Sequence, residues 1–130
     1  MSRARILVVD DDPELLEALR LRLRSGGYEV HTAGDGVQAT RLARRERPDL
    51  VVLDIGMPGG DGHTVAQRLK GDPVTMFLPI IFLTARTNEI DFERARQTGV
   101  EKYLTKPFQV DEVLLAVDEL IERSTQSAAV

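Results

Sequence analysis

Short apolar runs alternate along the chain with stretches in which apolar residues recur at helical spacing, and this pattern limits the fold more than any other feature of the sequence. Four runs lack any alternation of polar and apolar residues, and they occupy residues 6–9, 50–53, 80–83 and, more briefly, 103–104. Such runs are typical of strands that are buried on both faces, as in a parallel sheet. A fifth strand, around residues 28–32, mixes polar and apolar side chains and is therefore predicted at a sheet edge.

Five helices are predicted between and after these strands, because apolar residues recur there at helical spacing. The first contains Leu15, Leu16, Leu19 and Leu23 and ends at the glycine pair 26–27. The other four are predicted at residues 37–45, around 65–69, at about 89–97 and at 110–121. Alternating strands and helices imply parallel strands with right-handed crossovers and helices on both faces of the sheet. The pattern therefore predicts an α/β fold built from five strand–helix units.

The composition excludes several classes of function. The chain has 130 residues and a mass of 14.5 kDa, which fits one domain. It contains no cysteine, so disulfide scaffolds, zinc–thiolate sites and thiol catalysis are excluded. The net charge of −4 argues against direct nucleic-acid binding by this segment. No apolar run approaches the roughly 20 residues that span a bilayer, so we expect a cytoplasmic protein without membrane contact.

Polar residues follow the apolar runs at the points where the predicted strands end. In chain order they are Asp10, Asp11 and Asp12, then Asp54, then Thr84, and finally Lys106. Because the carboxyl ends of parallel strands meet at one edge of the sheet, where ligands bind, we expect these side chains to share a pocket. Asp12 precedes Pro13 and is more simply explained as the N-cap of the first helix.

The charges of this predicted pocket indicate what it can bind. Asp10, Asp11 and Asp54 carry three negative charges, and Lys106 offsets only one of them. Clustered carboxylates repel each other unless a cation compensates. A small set of oxygen ligands suits Mg²⁺, which keeps several waters and needs only one or two carboxylates. A pocket completed by Mg²⁺ and Lys106 can accept a phosphoryl group, since both neutralise its oxygens.

Four segments that contain these residues resemble the motifs of the receiver domain of bacterial two-component response regulators. They are ILVVDDDP at residues 6–13, LDIGMPGGDG at 53–62, FLTA at 82–85 and YLTKPF at 103–108. The resemblance covers about residues 4–123. It implies a doubly wound, flavodoxin-like sheet of five parallel strands in the order 2-1-3-4-5, like that of chemotaxis regulators. It also implies a receiver domain over residues 1–123, followed at 124–130 by a flexible tail or the start of a linker.

The resemblance implies that Asp54 is the phosphoacceptor, phosphorylated by a sensor histidine kinase or a phosphotransfer protein. Asp11, Asp54 and the backbone carbonyl of Gly56 would bind Mg²⁺, or Mn²⁺ in its place, and Asp10 would act through a bound water. Backbone N–H groups near Gly56 and Ala85 would bind phosphoryl oxygens. The chain would then be no enzyme beyond its own phosphotransfer and autodephosphorylation.

The family also implies how phosphorylation would reach an output domain or a downstream protein. Lys106 would pair with one phosphoryl oxygen, and Thr84 would hydrogen-bond another. As Thr84 moves, Tyr103 would turn inward and change the surface of the fourth helix, fifth strand and fifth helix. The family further has a cis peptide bond at the position of Lys106–Pro107.

The fifth helix bears on dimerisation and on the type of output. Residues 109–122 contain no Lys or Arg, and their acidic side chains are Asp111, Glu112, Asp118, Glu119 and Glu122. Receivers of winged-helix transcription factors usually carry basic residues there, which pair across a dimer. The resemblance therefore argues against that dimer and that output class, while a phosphorylation-dependent homodimer through other contacts stays open.

Two alternatives stay open at this point. One is a receiver-like interaction module that never takes phosphate. The other is a haloacid-dehalogenase-like phosphatase, in which Asp10 of the Asp-x-Asp at residues 10–12 would be the nucleophile; the short chain and the second Asp after another strand argue against it. The two histidines, His31 and His63, follow no predicted strand end and are predicted at the surface.

Overall fold

The computed structural model describes residues 3–57, 62–85 and 88–128 of the chain, and strands and helices alternate along them. The strands are β1 (Arg5–Val9), β2 (Glu29–Ala33), β3 (Leu50–Asp54), β4 (Ile80–Thr84) and β5 (Lys102–Thr105). The helices are α1 (Pro13–Ser25), α2 (Gly36–Glu46), α3 (Gly62–Gly71), α4 (Glu89–Thr98) and α5 (Val110–Ala128). The prediction of five strand–helix units is confirmed.

The five strands form one parallel sheet in the order β2-β1-β3-β4-β5. The chain runs outward from β1 to the edge strand β2 and then returns past β1 to β3, so the direction of winding reverses between β1 and β3. A crevice opens at the carboxyl ends of the strands where the winding reverses. Both the predicted strand order and the predicted position of β2 at an edge are confirmed.

Side chains of the central strands alternate between two cores, one on each face of the sheet. Leu7 and Val9 of β1 belong to the core beneath α2, α3 and α4. Ile6 and Val8 belong to the core beneath α1 and α5. Because helices cover both faces, every residue of β3 and β4 is buried. This burial explains why the central strands are continuous apolar runs in the sequence.

Local sequence signals set the helix ends near the crevice. The carboxylate of Asp12 accepts hydrogen bonds from the backbone N–H groups of Glu14, at 3.0 Å, and Leu15, at 3.3 Å. Pro13 opens α1, where its missing N–H costs no hydrogen bond. The prediction that Asp12 is the N-cap of the first helix is confirmed.

Helix α5 continues to Ala128, although residues 124–130 are predicted from the sequence to be a flexible tail or the start of a linker. The chain beyond residue 110 contains neither Gly nor Pro, the two residues that most often end a helix. Residues 129 and 130 lie outside the described residues, and the domain boundary at residue 123 stays a prediction. Within the described ranges, no helix has the length and apolar character that crossing a membrane requires.

Candidate functional site

Three carboxylates converge at the carboxyl edge of the sheet, between β1 and β3. Asp10 directly follows β1, and Asp54 is the last residue of β3. One carboxylate oxygen from each of Asp10, Asp11 and Asp54 lies within 4.8 Å of the other two. Asp10 and Asp54 are buried, whereas Asp11 is exposed. The acidic cluster is therefore held by the core on one side and open to solvent at Asp11.

The carboxylate of Asp10 is held by contacts within the chain. One oxygen accepts a hydrogen bond from the backbone N–H of Asp12 at 3.0 Å, and the other accepts one from Nζ of Lys106 at 3.1 Å. The backbone N–H of Asp10 also donates to the carbonyl of Ala33 on β2. These contacts fix the orientation of Asp10 and engage both of its oxygens.

The carboxylate of Asp54 has weaker compensation for its charge. Oδ1 accepts a hydrogen bond from the backbone N–H of Gly56 at 3.2 Å, and Oδ2 lies 3.8 Å from Nζ of Lys106. Burial raises the pKa of Asp54, and the charge of Asp10 raises it further, against the opposing effects of the Gly56 N–H and Lys106. Asp54 therefore carries its negative charge at a cost in free energy.

The donor set and its repulsion fit a hard divalent cation. The three carboxylates supply only oxygen ligands, which suit Mg²⁺. A cation among Asp10, Asp11 and Asp54 would remove the like-charge repulsion that raises the pKa of Asp54. Gly56, two residues after Asp54, is exposed beside this cluster. The residues that the sequence analysis assigns to Mg²⁺ thus lie together.

The ends of β4 and β5 bring the hydroxyl and the ammonium group to the same edge. Thr84 and Thr105 are register partners, and the backbone N–H of Lys106 donates to the carbonyl of Thr84 at 2.7 Å. Thr84 is buried, and Ala85, which follows it, is exposed. The Lys106–Pro107 peptide bond is cis. Lys106 therefore extends its side chain from a backbone that is tied to β4.

Tyr103 lies between the sheet and α4. Its ring centroid is 4.2 Å from that of Phe92 on α4 and 6.1 Å from that of Phe82 on β4. Tyr103 is half-buried, so one part of its ring contacts the core and another reaches solvent. A shift of either neighbour would change the packing of this ring.

Helix α3 begins unusually close to Asp54. The backbone N–H of Gly62 donates to the carbonyl of Ile55 at 2.8 Å. A Cβ atom at residue 62 would lie 2.5 Å from the backbone oxygen of Asp54 and 2.6 Å from Cα of Ile55. Only glycine allows this approach without displacing the backbone. Residues 58–61 of the LDIGMPGGDG segment lie outside the described residues.

The prediction that both histidines lie at the surface is wrong for His63. Its side chain is 0% exposed, and its Nε2 lies 2.8 Å from Oδ1 of Asp91, which is also buried. Helical spacing carries the signal that the sequence analysis missed: His63 precedes Ala66 by three residues, and Asp91 precedes Ala95 by four, so each lies on the buried face of its helix. His31, on the edge strand β2, is partly exposed.

Comparison with known proteins agrees with this arrangement. The family model described as "Response regulator receiver domain" matches residues 6–118. The DNA-binding dual master transcriptional regulator RpaA of Synechocystis is 41% identical over 120 residues, which is 92% of this chain and 50% of that protein. The transcriptional regulatory protein KdpE of Mycobacterium tuberculosis is 41% identical over 123 residues, which is 95% of this chain and 53% of that protein. The chain thus spans about half the length of the curated relatives it matches.

A solved structure supports the same assignment. The chemotaxis protein CheY4 of Vibrio cholerae matches with a TM-score of 0.86 at 28% identity, and the match covers 92% of this chain and 99% of that one. The family match at residues 6–118 includes the acidic cluster and the segment around Lys106. The chain therefore belongs to the response regulator receiver domain family of two-component systems.

Proposed function

We propose that this receiver is a signalling switch in which Asp54 accepts a phosphoryl group from a phosphohistidine of a sensor histidine kinase or a phosphotransfer protein. An oxygen of Asp54 forms the new P–O bond while the P–N bond of the phosphohistidine breaks, and the electron pair of that bond stays with the donor imidazole. The observation that carries the proposal is the position of Asp54, at a strand end, beside two further carboxylates and 3.8 Å from Lys106.

Asp11, Asp54 and the backbone carbonyl of Gly56 would hold Mg²⁺ in this proposal, and Mn²⁺ would take the same ligands. Asp10 would act through a water, which fits the engagement of both its oxygens by Asp12 and Lys106. When bound, the metal neutralises negative charge on the carboxylates and on the phosphoryl oxygens. The raised pKa of Asp54 supports a need for that positive charge.

The remaining phosphoryl oxygens would be bound by Lys106, by the hydroxyl of Thr84 and by backbone N–H groups of Gly56 and Ala85. Lys106 lies 3.1 Å from Asp10 and 3.8 Å from Asp54, so a short movement of its ammonium group exchanges one partner for another. We propose that Thr84 and Tyr103 then shift together, because they lie on the paired neighbouring strands β4 and β5. The change would appear at the α4–β5–α5 surface, which those three elements form.

The two alternatives are less well supported by the geometry. A haloacid-dehalogenase-like reaction would use Asp10 as nucleophile, yet Asp10 is fully buried and both its oxygens are engaged. A phosphate-independent module would not need a buried carboxylate with a raised pKa at the acidic cluster, since a neutral side chain there would be more stable.

The names of the relatives bear on the output. RpaA and KdpE are named as transcriptional regulators, which favours a transcriptional output for a protein that carries this receiver. The acidic side chains of α5 do not argue strongly against it, because several have partners within the chain. Asp111 pairs with Arg22, Asp118 accepts a hydrogen bond from Tyr28, and Glu119 pairs with Lys102.

The proposed reaction can be tested by intact-mass spectrometry after incubation with acetyl phosphate, with and without Mg²⁺. The wild-type chain is expected to gain one phosphoryl group, only when Mg²⁺ is present. Asp54→Asn should gain none. Asp35→Asn is the matched control, because it removes one negative charge at the same sheet edge and keeps a side chain that can cap α2.

A phosphoryl group retained by Asp54→Asn would contradict the assignment of the acceptor. Lys106→Ala should still be phosphorylated, more slowly, since it loses a charge that binds the phosphoryl oxygens but keeps the nucleophile. Complete absence of the adduct from the folded wild-type chain, with both acetyl phosphate and a phosphorylated histidine kinase, would overturn the proposed function.

A further inference from the structure

A buried histidine–aspartate pair lies outside the acidic cluster. The polar and charged side chains buried among the described residues are those of Asp10, Asp54, His63, Thr75, Thr84 and Asp91. Three of these belong to the candidate site, and Thr75 donates to the backbone carbonyl of Leu69. His63 and Asp91 are the pair that neither the site nor a local turn explains.

The pair joins two neighbouring helices at their amino-terminal ends. His63 is the second residue of α3, and Asp91 lies in the first turn of α4. Nε2 of His63 and Oδ1 of Asp91 are 2.8 Å apart, and a carboxylate can only accept, so we assign the hydrogen to Nε2. The contact therefore crosses from one helix to the next and does not stabilise either helix by itself.

The N-cap of α4 positions Asp91 for this contact. The other carboxylate oxygen of Asp91 accepts a hydrogen bond from the side-chain amide of Asn88 at 2.8 Å, and the backbone N–H of Asp91 donates to the same amide at 2.9 Å. A carboxylate in the first turn of a helix is also favoured by the helix dipole. Asp91 therefore has one preferred position, from which it faces His63.

His63 is connected, through its neighbours, both to the segment after Asp54 and to the ring of Tyr103. It follows Gly62, whose N–H is bonded to the carbonyl of Ile55, one residue beyond Asp54. The ring of His63 packs edge-on against Phe82, with centroids 5.3 Å apart, and Phe82 packs edge-on against Tyr103. A movement at the start of α3 would thus reach α4 through the hydrogen bond and Tyr103 through the rings.

A buried pair of this kind contributes directional specificity more than global stability. Taking an imidazole and a carboxylate out of water is costly, and apolar side chains of similar volume are often as stable or more so. A hydrogen bond has a direction and a length, however, whereas apolar packing between two helices tolerates sliding. The pair is therefore suited to fixing the position of α4.

We propose that His63 is a positioning residue whose hydrogen bond to Asp91 holds the first turn of α4 on α3 and couples α4 to the phosphorylation site. The coupling rests on the proposed phosphorylation of Asp54, whereas the positioning of α4 does not. The two parts can therefore be tested separately on the same protein.

The positioning is tested by hydrogen–deuterium exchange of α4 amides in the wild-type chain, His63→Leu and His63→Gln. Leu fills the space without a donor, and the side-chain nitrogen of Gln can donate from a position near Nε2. Exchange in α4 should be about tenfold faster in His63→Leu, equivalent to about 1.4 kcal/mol of local opening, and close to the wild-type rate in His63→Gln. Exchange in α1, on the opposite face, is the internal control.

Equal exchange of α4 in the wild type and His63→Leu, or no rescue by Gln, would overturn the positioning role and leave His63 as a space-filling side chain. The imidazole N–H protons give a second readout by NMR, because the chain has only two histidines. A slowly exchanging Nε2–H resonance should persist in His31→Gln and vanish in Asp91→Ala. Its absence from the wild type would also overturn the proposal.

The coupling is tested by repeating the exchange measurement after incubation with acetyl phosphate and Mg²⁺. In the wild type, exchange of α4 amides should change on phosphorylation. In His63→Leu, Asp54 should still be phosphorylated, but the change in α4 exchange should be at most half as large. An equal change in both proteins would overturn the coupling. Absence of any adduct would instead refute the proposed function, and the comparison without phosphodonor would still decide the positioning role.

Discussion

Replacement of Asp54 by Asn should stabilise the fold when no divalent cation is present. The substitution removes one negative charge and keeps an acceptor for the N–H of Gly56. Because burial and the charge of Asp10 raise the pKa of Asp54, the folded chain holds the ionised carboxylate at a cost that the unfolded chain does not have. The free energy of unfolding at pH 7 is therefore expected to rise in the variant.

The size of the gain follows from the distances in the acidic cluster. At the 4.8 Å limit between carboxylate oxygens, an effective dielectric constant of about 20 gives about 3.5 kcal/mol of repulsion for each like-charged pair. Lys106, at 3.8 Å from Asp54, offsets about one of the two repulsive pairs. Solvent at the exposed side of Asp11 screens the remainder, so we expect a net gain of about 1–2 kcal/mol.

The assay is urea unfolding followed by circular dichroism, in EDTA and low salt, for the wild type, Asp54→Asn and the control Asp35→Asn. A carboxyl group whose pKa is raised by folding binds more protons in the folded state than in the unfolded state. Ionised Asp54 therefore begins to lower the free energy of unfolding as the pH rises above its ordinary pKa of 3.8, and the loss is complete above the folded-state pKa. The gain of Asp54→Asn should therefore be full at pH 7 and nearly vanish near pH 3.8. Mg²⁺ should stabilise the wild type more than the variant, because it binds the folded cluster.

Two results would refute this reasoning. One is an Asp54→Asn protein that is less stable than the wild type at pH 7 in EDTA, since the carboxylate would then be favourably compensated. The other is a gain that is the same at pH 7 and pH 3.8, or that Asp35→Asn reproduces, because the effect would then come from net charge or packing rather than from the ionisation of Asp54.

Three further substitutions test individual contacts. Gly62→Ala should lower the free energy of unfolding by about 2 kcal/mol or more, because the new Cβ would lie 2.5 Å from the backbone oxygen of Asp54. Gly71→Ala, with no atom beyond its own helix and chain neighbours within 4 Å of its Cβ, should have little effect in the same urea titration. Asp12→Ala should cost about 1 kcal/mol through loss of the α1 cap, and Asp12→Asn should restore most of it in thermal unfolding. Tyr28→Phe should cost about 1.5 kcal/mol through loss of the hydrogen bond to Asp118. Burial and the contact with Asp118 raise the pKa of Tyr28, so spectrophotometric titration should show one tyrosine that ionises at a higher pH than an ordinary tyrosine.

The alternation of strands and helices follows from local sequence patterns, and so does the set of polar residues that meet at one edge of the sheet. The apolar runs at residues 6–9, 50–53 and 80–83 predict strands buried on both faces, because the two-residue period of a strand and the longer period of a helix are local properties of the chain. Since parallel strands bring their carboxyl ends to one edge, the positions of Asp10, Asp54 and Thr84 along the chain were sufficient to predict that these residues meet there.

Contacts between charged groups from distant segments depend on the tertiary structure. Nζ of Lys106 lies 3.1 Å from Asp10 and 3.8 Å from Asp54, although 96 residues separate Lys106 from Asp10 in the sequence. His63 is buried against Asp91 because α3 and α4 pack side by side on one face, a contact that spans 28 residues of sequence. Local periodicity can indicate that each of these side chains faces the core, but only the packing of distant segments determines its partner.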